Sequence, residues 1–419
     1  MEGMKTLITS LFFVLLMFGC GGDGGGGGDA AEDGAADPVL DAETQVDTPT
    51  DPPADSPADR PEDPPVEEEL CPAGTTPCGT ECADLDSDPD HCGECTNACG
   101  EHENCEGGEC ILQVALYYGE VHGHTENSDG EGTITEYLTF CRDDSLMDFC
   151  AITDHGASQA LIDTYLTAAD SFTTPTFLAL AGSEWGSATI GHKVCYGVTT
   201  ACQSWNSECD TPAKLYASAS ADGGLCHAAH PASTWSGQGP TDWSYSDDAV
   251  ELAGEIYASE EKMNEAWLDF GLRIGVVGVS DTHSGRPGAS GVTGCYAFEL
   301  SREGILDALA SRRCFATNSP VNRADNPAAL EFKLNGRWMG EVVPVPEGET
   351  MALTVSVASA AQIEMITIKK DGEVLATKED CPADACEWAQ EATSDGPAYY
   401  TVVVDVLGNT LWSPPVFVE

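Results

Sequence analysis

The chain has 419 residues, of which 42% are hydrophobic, enough for one large core with smaller modules, so disorder throughout is excluded. The 71 acidic residues outnumber the 17 basic ones and give a formal net charge of −54, which disfavours nucleic acid and anionic lipid surfaces as partners. Nineteen cysteines are too many for a reduced cytosolic enzyme, and we expect the protein to mature in an oxidising compartment.

Residues 1–20 have the pattern of a bacterial export signal. Lys5 precedes an apolar run, residues 7–18, that is too short to span a bilayer permanently, and the run ends at Gly19-Cys20. A small residue followed by cysteine resembles a lipoprotein signal with Cys20 as the acylated N-terminus, and an ordinary signal peptide cut nearby is the alternative. We therefore predict an exported protein, lipid-anchored at the cell surface or outer membrane, or else periplasmic or secreted. It would meet the membrane only through this anchor.

Two segments of unusual composition follow. Residues 21–70 contain a glycine run and repeated Asp-Pro and Pro-Ala-Asp units with almost no large apolar side chains, which predicts a disordered acidic linker. Residues 71–110 contain eight cysteines and scarcely any aliphatic side chains, so about four disulfides would have to hold this module together. Zinc binding is the alternative, because Cys92 and Cys95 have CxxC spacing and His91 and His102 lie close by.

The remaining chain predicts two folded domains. In residues 111–325 short apolar runs alternate with helical patterns, which predicts an α/β domain with a parallel sheet, most simply a barrel. In residues 326–419 strands alternate without a competing helix pattern, which predicts a small β-sandwich, and Cys381 and Cys386 lie close enough in one of its loops to pair. The predicted strands are 112–118, 148–152, 177–180, 273–279, 351–357, 362–370 and 399–407, and the predicted helices are 133–142, 159–169, 260–270 and 302–311.

Histidines and carboxylates recur where the strands of residues 111–325 end, and in a parallel barrel these ends form the face where active sites assemble. His122 and His124 stand two residues apart, a spacing that points both imidazoles to one side of an extended chain. Each histidine taken alone is more often structural, but seven of the nine in the chain lie in these motifs, which favours a metal site. The other side chains concerned are Asp154, His155, Glu184, His192, His227, His230, Asp281 and His283.

The residue types indicate which metals would bind. Neutral imidazoles with a few carboxylates suit zinc, manganese or iron, whereas calcium calls for oxygen ligands throughout. The set exceeds what one tetrahedral ion needs, so we expect two or three divalent ions. Glu184 is a natural bridge, because a carboxylate can bind through both oxygens.

The motifs HxH, TDH, a glutamate after a glycine turn, AHP and SDxH together resemble the PHP superfamily, named for polymerase and histidinol phosphatase domains. The stretches Tyr118-Gly-Glu-Val-His-Gly-His-Thr and Gly285-Arg-Pro-Gly resemble its branch that includes carbaryl hydrolases. The resemblance spans residues 117–419 and implies a distorted (β/α)7 barrel with up to three metal ions at its mouth.

Matching these motifs residue by residue implies three sets of ligands. The first ion would take His122, His124, Glu184 and Asp281, the second Glu184, His192 and His230, and the third His155 and His283. Asp129 lies in a position that differs between families, and His227 has no counterpart in the motifs and is expected in the core.

The predicted activity is hydrolysis, in which divalent ions lower the pKa of bound water toward neutrality and polarise the phosphoryl or carbonyl oxygen under attack. Arg286 and Lys193 are candidate clamps for an anionic substrate, or else exposed partners for the surplus acids. Asp154 is a candidate general base, or a residue that orients His155. We expect a small-molecule phosphoester as the substrate. The alternatives are a carbamate, ester or amide hydrolase, and a surface-binding protein that has lost catalysis.

Overall fold

The structure is a computed structural model, and it describes residues 71–100, 102–187, 191–230, 252–255, 268–269, 271–318, 328–382 and 384–419. The signal peptide predicted at 1–20, the linker at 21–70, most of the helix at 260–270 and the domain boundary after 325 lie outside these residues. No helix in the described ranges is long and apolar enough to cross a membrane. All eighteen described cysteines are disulfide-bonded, which fits an exported protein that matures in an oxidising compartment.

Four disulfides hold the cysteine-rich module, which confirms the predicted framework and leaves no thiolate for zinc. Its buried apolar side chains are Ala83, Cys92 and Cys105, too few for a core of their own. His102 stacks on Phe298, with the two rings 3.9 Å apart, and so docks the module on the domain that follows. The disulfides are Cys71–Cys82, Cys78–Cys95, Cys92–Cys105 and Cys99–Cys110, and the hairpins are β1 (Thr76–Cys78) with β2 (Glu81–Ala83) and β3 (Glu103–Glu106) with β4 (Glu109–Leu112).

Three parallel strands form the centre of the large sheet that follows: β5 (Ala115–Glu120), β6 (Phe149–Ile152) and β7 (Leu178–Ser187). Two helical connections join them: α1 (Ile134–Thr139), which runs into a π-helical turn (Phe140–Asp144), and α2 (Gln159–Phe172). The hydroxyls of Thr133 and Ser158 accept hydrogen bonds from the first turns of α1 and α2, so each helix begins shortly after the loop that leaves a strand. These loops carry the polar motifs.

The sheet extends on both sides of this centre in the order β11-β10-β9-β8-β7-β6-β5-β12-β13. Thr211 and Ser301 cap the two further helices, which pack against it. The additional elements are β8 (Gly191–Tyr196), α3 (Pro212–Ala221), β9 (Leu225–Ala228), β10 (Leu252–Glu255), β11 (Ile274–Val277), β12 (Val292–Ala297), α4 (Arg302–Ala310) and β13 (Cys314–Thr317).

This sheet is mixed, whereas the sequence led us to expect a parallel one. β8 runs antiparallel to β7 and β9, and β12 runs antiparallel to β5 and β13. Only residues 188–190 separate β7 from β8, and so short a connection permits antiparallel pairing alone. Neither β8 nor β12 is among the predicted strands, and short apolar runs do not reveal strand direction in any case.

The two ends of this strand order approach each other. Thr293 Oγ1 on β12 donates to the carbonyl oxygen of Gly278, just after β11, at 2.8 Å. A Cβ at position 278 would lie 2.3 Å from the oxygen of Val292, so only glycine permits this approach. Within the described ranges β11 and β13 lie side by side, but no backbone ladder joins them, so the predicted barrel is not shown.

The C-terminal region is all-β and consists of two facing sheets. One sheet has the order β15-β14-β17-β20, and the alternating burial along β17 turns residues such as Leu353 and Val355 inward. They share one hydrophobic core with Ile366 and Val404 of the opposite layer. The elements are β14 (Ala329–Leu334), β15 (Arg337–Trp338), β16 (Val342–Val343), β17 (Thr350–Ala358), β18 (Ile363–Lys370), β19 (Glu373–Lys378), β20 (Ala385–Thr393), β21 (Ala398–Val406), β22 (Asn409–Trp412) and β23 (Val416–Val418).

The second of these layers is continuous with the large sheet. β22 pairs with β13, and the order continues through β21, β18 and β19. The predicted pairing of Cys381 with Cys386 is confirmed in this region. The two regions treated as separate in the sequence thus share one fifteen-stranded sheet.

Candidate metal centre

The centre lies just beyond the ends of β5 and β11 and beside the last residues of β7. His122 and His124 follow β5, and both side chains are fully buried. The backbone N–H of His124 donates to the oxygen of Thr282 at 2.9 Å, which fixes the loop after β5 against the loop after β11 that carries Asp281. Glu184 lies within β7 and is fully buried. Residues more than 150 positions apart thereby share one small volume.

Four side-chain atoms converge in a first group. The Nε2 atoms of His122 and His124 lie 3.2 Å apart, and their distances to Asp281 Oδ1 are 3.3 and 3.1 Å. Both nitrogens also lie 3.3 Å from Glu184 Oε2. Ligand atoms about 3.4 Å apart are expected around a tetrahedral ion whose bonds are about 2.1 Å long. The two imidazole nitrogens and Asp281 Oδ1 therefore form one group that could hold a divalent ion, and Glu184 Oε2 borders the same two nitrogens.

A second group surrounds the other oxygen of the same carboxylate. His192 Nδ1 lies 2.7 Å and His230 Nε2 lies 3.2 Å from Glu184 Oε1. The two imidazole rings are 5.0 Å apart. Glu184 thus faces one group of imidazoles with each of its oxygens, the geometry of a bridging carboxylate.

A third group lies at the solvent-exposed side. Asp129 Oδ1 is 3.6 Å from His155 Nε2 and 3.3 Å from His283 Nε2. His283 Nδ1 lies 3.0 Å from the backbone oxygen of Asp281. If Nδ1 carries the proton and donates to that oxygen, Nε2 is the unprotonated nitrogen, free to bind a metal ion on the side of Asp129. His155 also reaches inward, with Nδ1 2.9 Å from Glu184 Oε2. His155 therefore stands between this group and the bridging carboxylate.

The electrostatics of the cluster call for a cation. Burial by itself raises the pKa of Glu184, but the neighbouring His122 and the other imidazoles hold that pKa well below its usual range. Burial lowers the pKa of His124, yet its contacts with Asp281 and Glu184 raise it to about 9. Glu184 Oε2 has no hydrogen bond of normal geometry to any described residue, although three imidazole nitrogens surround it. A buried anionic oxygen in this setting suits a divalent ion.

Asp154 has a different environment from the one expected. Its carboxylate is fully buried and accepts hydrogen bonds from Thr125 N at 2.7 Å, Thr125 Oγ1 at 2.7 Å, Ser128 Oγ at 2.6 Å and Tyr165 OH at 2.8 Å. These donors occupy both oxygens, and no described contact joins the carboxylate to the ring of His155. Asp154 therefore ties the loop between His124 and Asp129 to α2, an arrangement that suits positioning rather than proton abstraction.

Glu120 is a buried carboxylate of the site that the sequence analysis overlooked. It accepts hydrogen bonds from the backbone of His122 at 3.1 Å, Ser280 at 3.0 Å and Gly288 at 2.9 Å, and from the hydroxyl of Ser280. Burial raises its pKa to about 7, against the opposing effect of these hydrogen bonds. The signal was present in the sequence, because Glu120 precedes His122 by two and so shares its side of the strand.

The remaining candidates differ in exposure. Arg286 is exposed on the loop that carries His283, and its guanidinium makes no ion pair or hydrogen bond with the residues that the structure describes. Lys193 is buried in β8, so it cannot be the exposed partner of surface acids. Its Nζ donates to the oxygen of His192 at 3.3 Å. His227 is fully buried in β9, its ring 5.6 Å from that of Tyr196, as expected for a core residue.

Comparisons with known proteins give one family match and several similar solved structures. Residues 65–113 match the model of the stigma-specific STIG1-like protein family, which covers the cysteine-rich module. No curated protein sequence matches the chain significantly. A two-domain protein from Bacteroides vulgatus, described as containing a predicted PHP-like metal-dependent phosphoesterase, is similar over 70% of this chain and 91% of its own, with 16% identity and a TM-score of 0.39.

Two further similar structures are endonucleases. The lesion-specific endonuclease PfuEndoQ from Pyrococcus furiosus is 13% identical over 47% of this chain and 56% of its own, with a TM-score of 0.35. Endonuclease Q in complex with duplex DNA that carries an abasic lesion is 12% identical over 46% of this chain and 56% of its own, with a TM-score of 0.36. This chain matches about half the length of both. At such identities and TM-scores, the functional conclusion has to come from the side chains of the centre itself.

Proposed function

We propose that this protein is a metal-dependent hydrolase of the PHP type that holds two or three divalent ions, zinc, manganese or iron, at the carboxyl ends of its strands. The observation that carries the proposal is the convergence of imidazoles on both oxygens of the buried Glu184. The predicted ligand sets agree with this in part, because His122 and His124 lie within 3.3 Å of oxygens of both Glu184 and Asp281, and His192 and His230 lie within 3.2 Å of Glu184 Oε1. When bound, such ions lower the pKa of water and polarise the bond under attack.

The chain's own residues would prepare the site for this chemistry. Glu120 and Asp154 hold the loops that carry His122, His124 and Asp281 in register through buried hydrogen bonds. Arg286 would orient an anionic substrate at the open side, where Asp129 and His283 are exposed. The guanidinium would lie close to a bound anion, so its attraction would outweigh the repulsion from the protein's distant, screened acidic groups.

We further propose a small-molecule phosphoester as the substrate, bound by the ions and by Arg286. A polyanion such as nucleic acid is disfavoured by the net charge of −54. Carbamate, ester or amide hydrolysis, the activity that the resemblance to carbaryl hydrolases implies, is the second candidate. The protein would act outside the cytoplasm, on a lipid anchor at Cys20 if the signal at 1–20 is processed as predicted.

The test combines metal analysis with a substrate panel. Purified protein loaded with zinc or manganese is analysed for bound metal and assayed on chromogenic phosphate and carboxyl esters. We expect at least two ions per chain and phosphate release, and we expect Glu184→Gln to lose both. His91→Ala is the matched control, because His91 belongs to the cysteine-rich module and contacts Asp88 instead. Metal-free protein after loading would overturn the proposal, and turnover of acyl compounds alone would favour the second candidate.

A further inference from the structure

Trp205 is strongly exposed, and it is the one aromatic side chain of which this is true in the described parts of the chain. Its exposed fraction is 71%, and the other large exposed hydrophobic side chains there are aliphatic. An indole in water is unfavourable, because it is one of the largest apolar surfaces that a side chain offers. What holds Trp205 outward, and what it faces, therefore bear on function.

A short disulfide-closed loop holds Trp205 in place. Cys202 and Cys209 pair across a sequence separation of seven residues, with Trp205 between them. Trp185 Nε1, on the buried side of β7, donates to the oxygen of Cys209 at 2.7 Å. Lys214 Nζ, on α3, donates to the oxygen of Ser207 at 2.7 Å. The loop is thus fixed from inside and outside, and Trp205 is displayed on a rigid support.

The same loop rests on the backbone beside the metal centre. Gln203 Nε2 donates to the oxygen of Gly156 at 2.7 Å. A Cβ on Gly156 would lie 2.5 Å from Cη2 of Trp205, so the indole edge lies against a backbone that has room for it only because that residue is glycine. Gly156 also has a φ of +52°, a conformation that other residues rarely adopt.

Gly156 connects the indole directly to the cluster. It follows His155, whose Nδ1 lies 2.9 Å from Glu184 Oε2, and its own N–H donates to the backbone oxygen of Glu184 at 2.8 Å. The indole is therefore anchored one residue from a candidate ligand, at the half-exposed side of the centre. Only a substrate group that leaves the cluster past His155 would meet this indole.

We propose that Trp205 determines specificity by stacking on a flat or apolar part of the substrate, while the anionic group binds at the cluster. This inference rests on the proposed function and adds the substrate class: esters with an aryl or similarly flat apolar group. The disulfide-closed loop and the contact with Gly156 restrict where the ring can go, which lowers the conformational entropy that stacking costs. Charge then selects the reacting group, and the indole selects what is attached to it.

Binding of two phosphonates to the metal-loaded protein tests this. Phenylphosphonate and methylphosphonate carry the same anionic group and differ in the flat ring, and calorimetry gives both affinities. We expect the unaltered protein to prefer phenylphosphonate. We expect Trp205→Ala to weaken phenylphosphonate binding by about two- to tenfold, the range for one aromatic contact, with methylphosphonate binding unchanged. Trp205→Phe should fall between, and Leu407→Ala, an exposed side chain of the C-terminal region, is the control.

The outcomes separate this inference from the proposed function. If methylphosphonate binds but the unaltered protein shows no preference for the phenyl compound, or if Trp205→Ala weakens both compounds equally, Trp205 has no such role and the hydrolase proposal stands. Loss of bound metal from Trp205→Ala would assign the indole a structural role and overturn the inference as well. If the loaded protein binds neither phosphonate and turns over no ester of the panel, both proposals fail together.

Discussion

Replacing Asp154 by asparagine distinguishes positioning from catalysis at the buried carboxylate. The substitution keeps the shape and removes the charge. The amide oxygen can still accept from Thr125 N and Ser128 Oγ, while its NH2 group would face the hydroxyl of Tyr165, which can turn to accept, and that of Thr125, which already accepts from Asn127. Three of the four hydrogen bonds would therefore persist as neutral ones, and the one with the Thr125 hydroxyl would be weakened or lost.

The expected loss follows from these four contacts. Hydrogen bonds to a charged group contribute about 1.5–3 kcal/mol each, against about 1 kcal/mol for neutral ones. Four contacts between 2.6 and 2.8 Å would then lose about 3 kcal/mol of unfolding free energy together, allowing for their sharing of two oxygens. Catalysis should fall by no more than about tenfold, because the loop that carries His124 keeps its hydrogen bonds.

The assay pairs urea unfolding, with the disulfides intact, with kcat/KM and bound metal on the same preparation. Asp170→Asn is the control, because Asp170 is an exposed acid on α2, the helix that carries Tyr165. A general base would behave in the opposite way. If Asp154→Asn lost more than about a hundredfold in turnover while its stability and metal content stayed unchanged, the positioning role would be wrong.

Three further results are expected. In metal-free protein the pKa of His124 is raised to about 9 from an ordinary 6.5, so its protonated form stabilises the fold below pH 6.5, and that contribution is lost as pH rises through 9. Zinc binding must displace this proton, so it should release protons at pH 7.5 and fewer at pH 10. Proton release that does not depend on pH in a pH-stat titration would contradict this. Glu120→Gln should weaken zinc affinity about 10- to 100-fold in competition with a chelator, because the loop after β11 loses its anchor, and unchanged affinity would show that the loop holds without it. Replacing Cys381 and Cys386 by serine should cost about 2 kcal/mol of unfolding free energy, the value for so small a loop, with metal content unchanged, and a larger loss would mean that this disulfide supports the core.

The sequence predicted the helices and strands whose periodic pattern is long. The patterns at 159–169 and 302–311 correspond to α2 and α4, and the strands at 351–357 and 362–370 correspond to β17 and β18. α3 was missed because its alanines and serines give little amphipathic contrast. β8 and β12, which run against their neighbours, lie outside the predicted strands, and strand direction depends on how the connecting segments pack and not on the strand's own residues.

The sequence could predict the parts of the candidate site that depend on residue type alone. Imidazoles at strand ends could be recognised as possible ligands one by one, and the structure brings them together. The hydrogen-bond partners of the buried carboxylates could not be recognised from residue type. Glu120 accepts from the backbone of Ser280 and Gly288, about 160 residues away. One of the four donors to Asp154 is the hydroxyl of Tyr165, on a helix that follows it in the chain. Such partners are fixed only once the chain has folded.

The position of the cysteine-rich module has a mechanical consequence. β4 of the module runs directly into β5, His102 rests on Phe298 just past β12, and β12 is antiparallel to β5. The module therefore sits at one pole of the sheet and His122 at the other, about 20 Å away for a six-residue strand. Force applied to the module would therefore enter the sheet at the end that is remote from the metal centre.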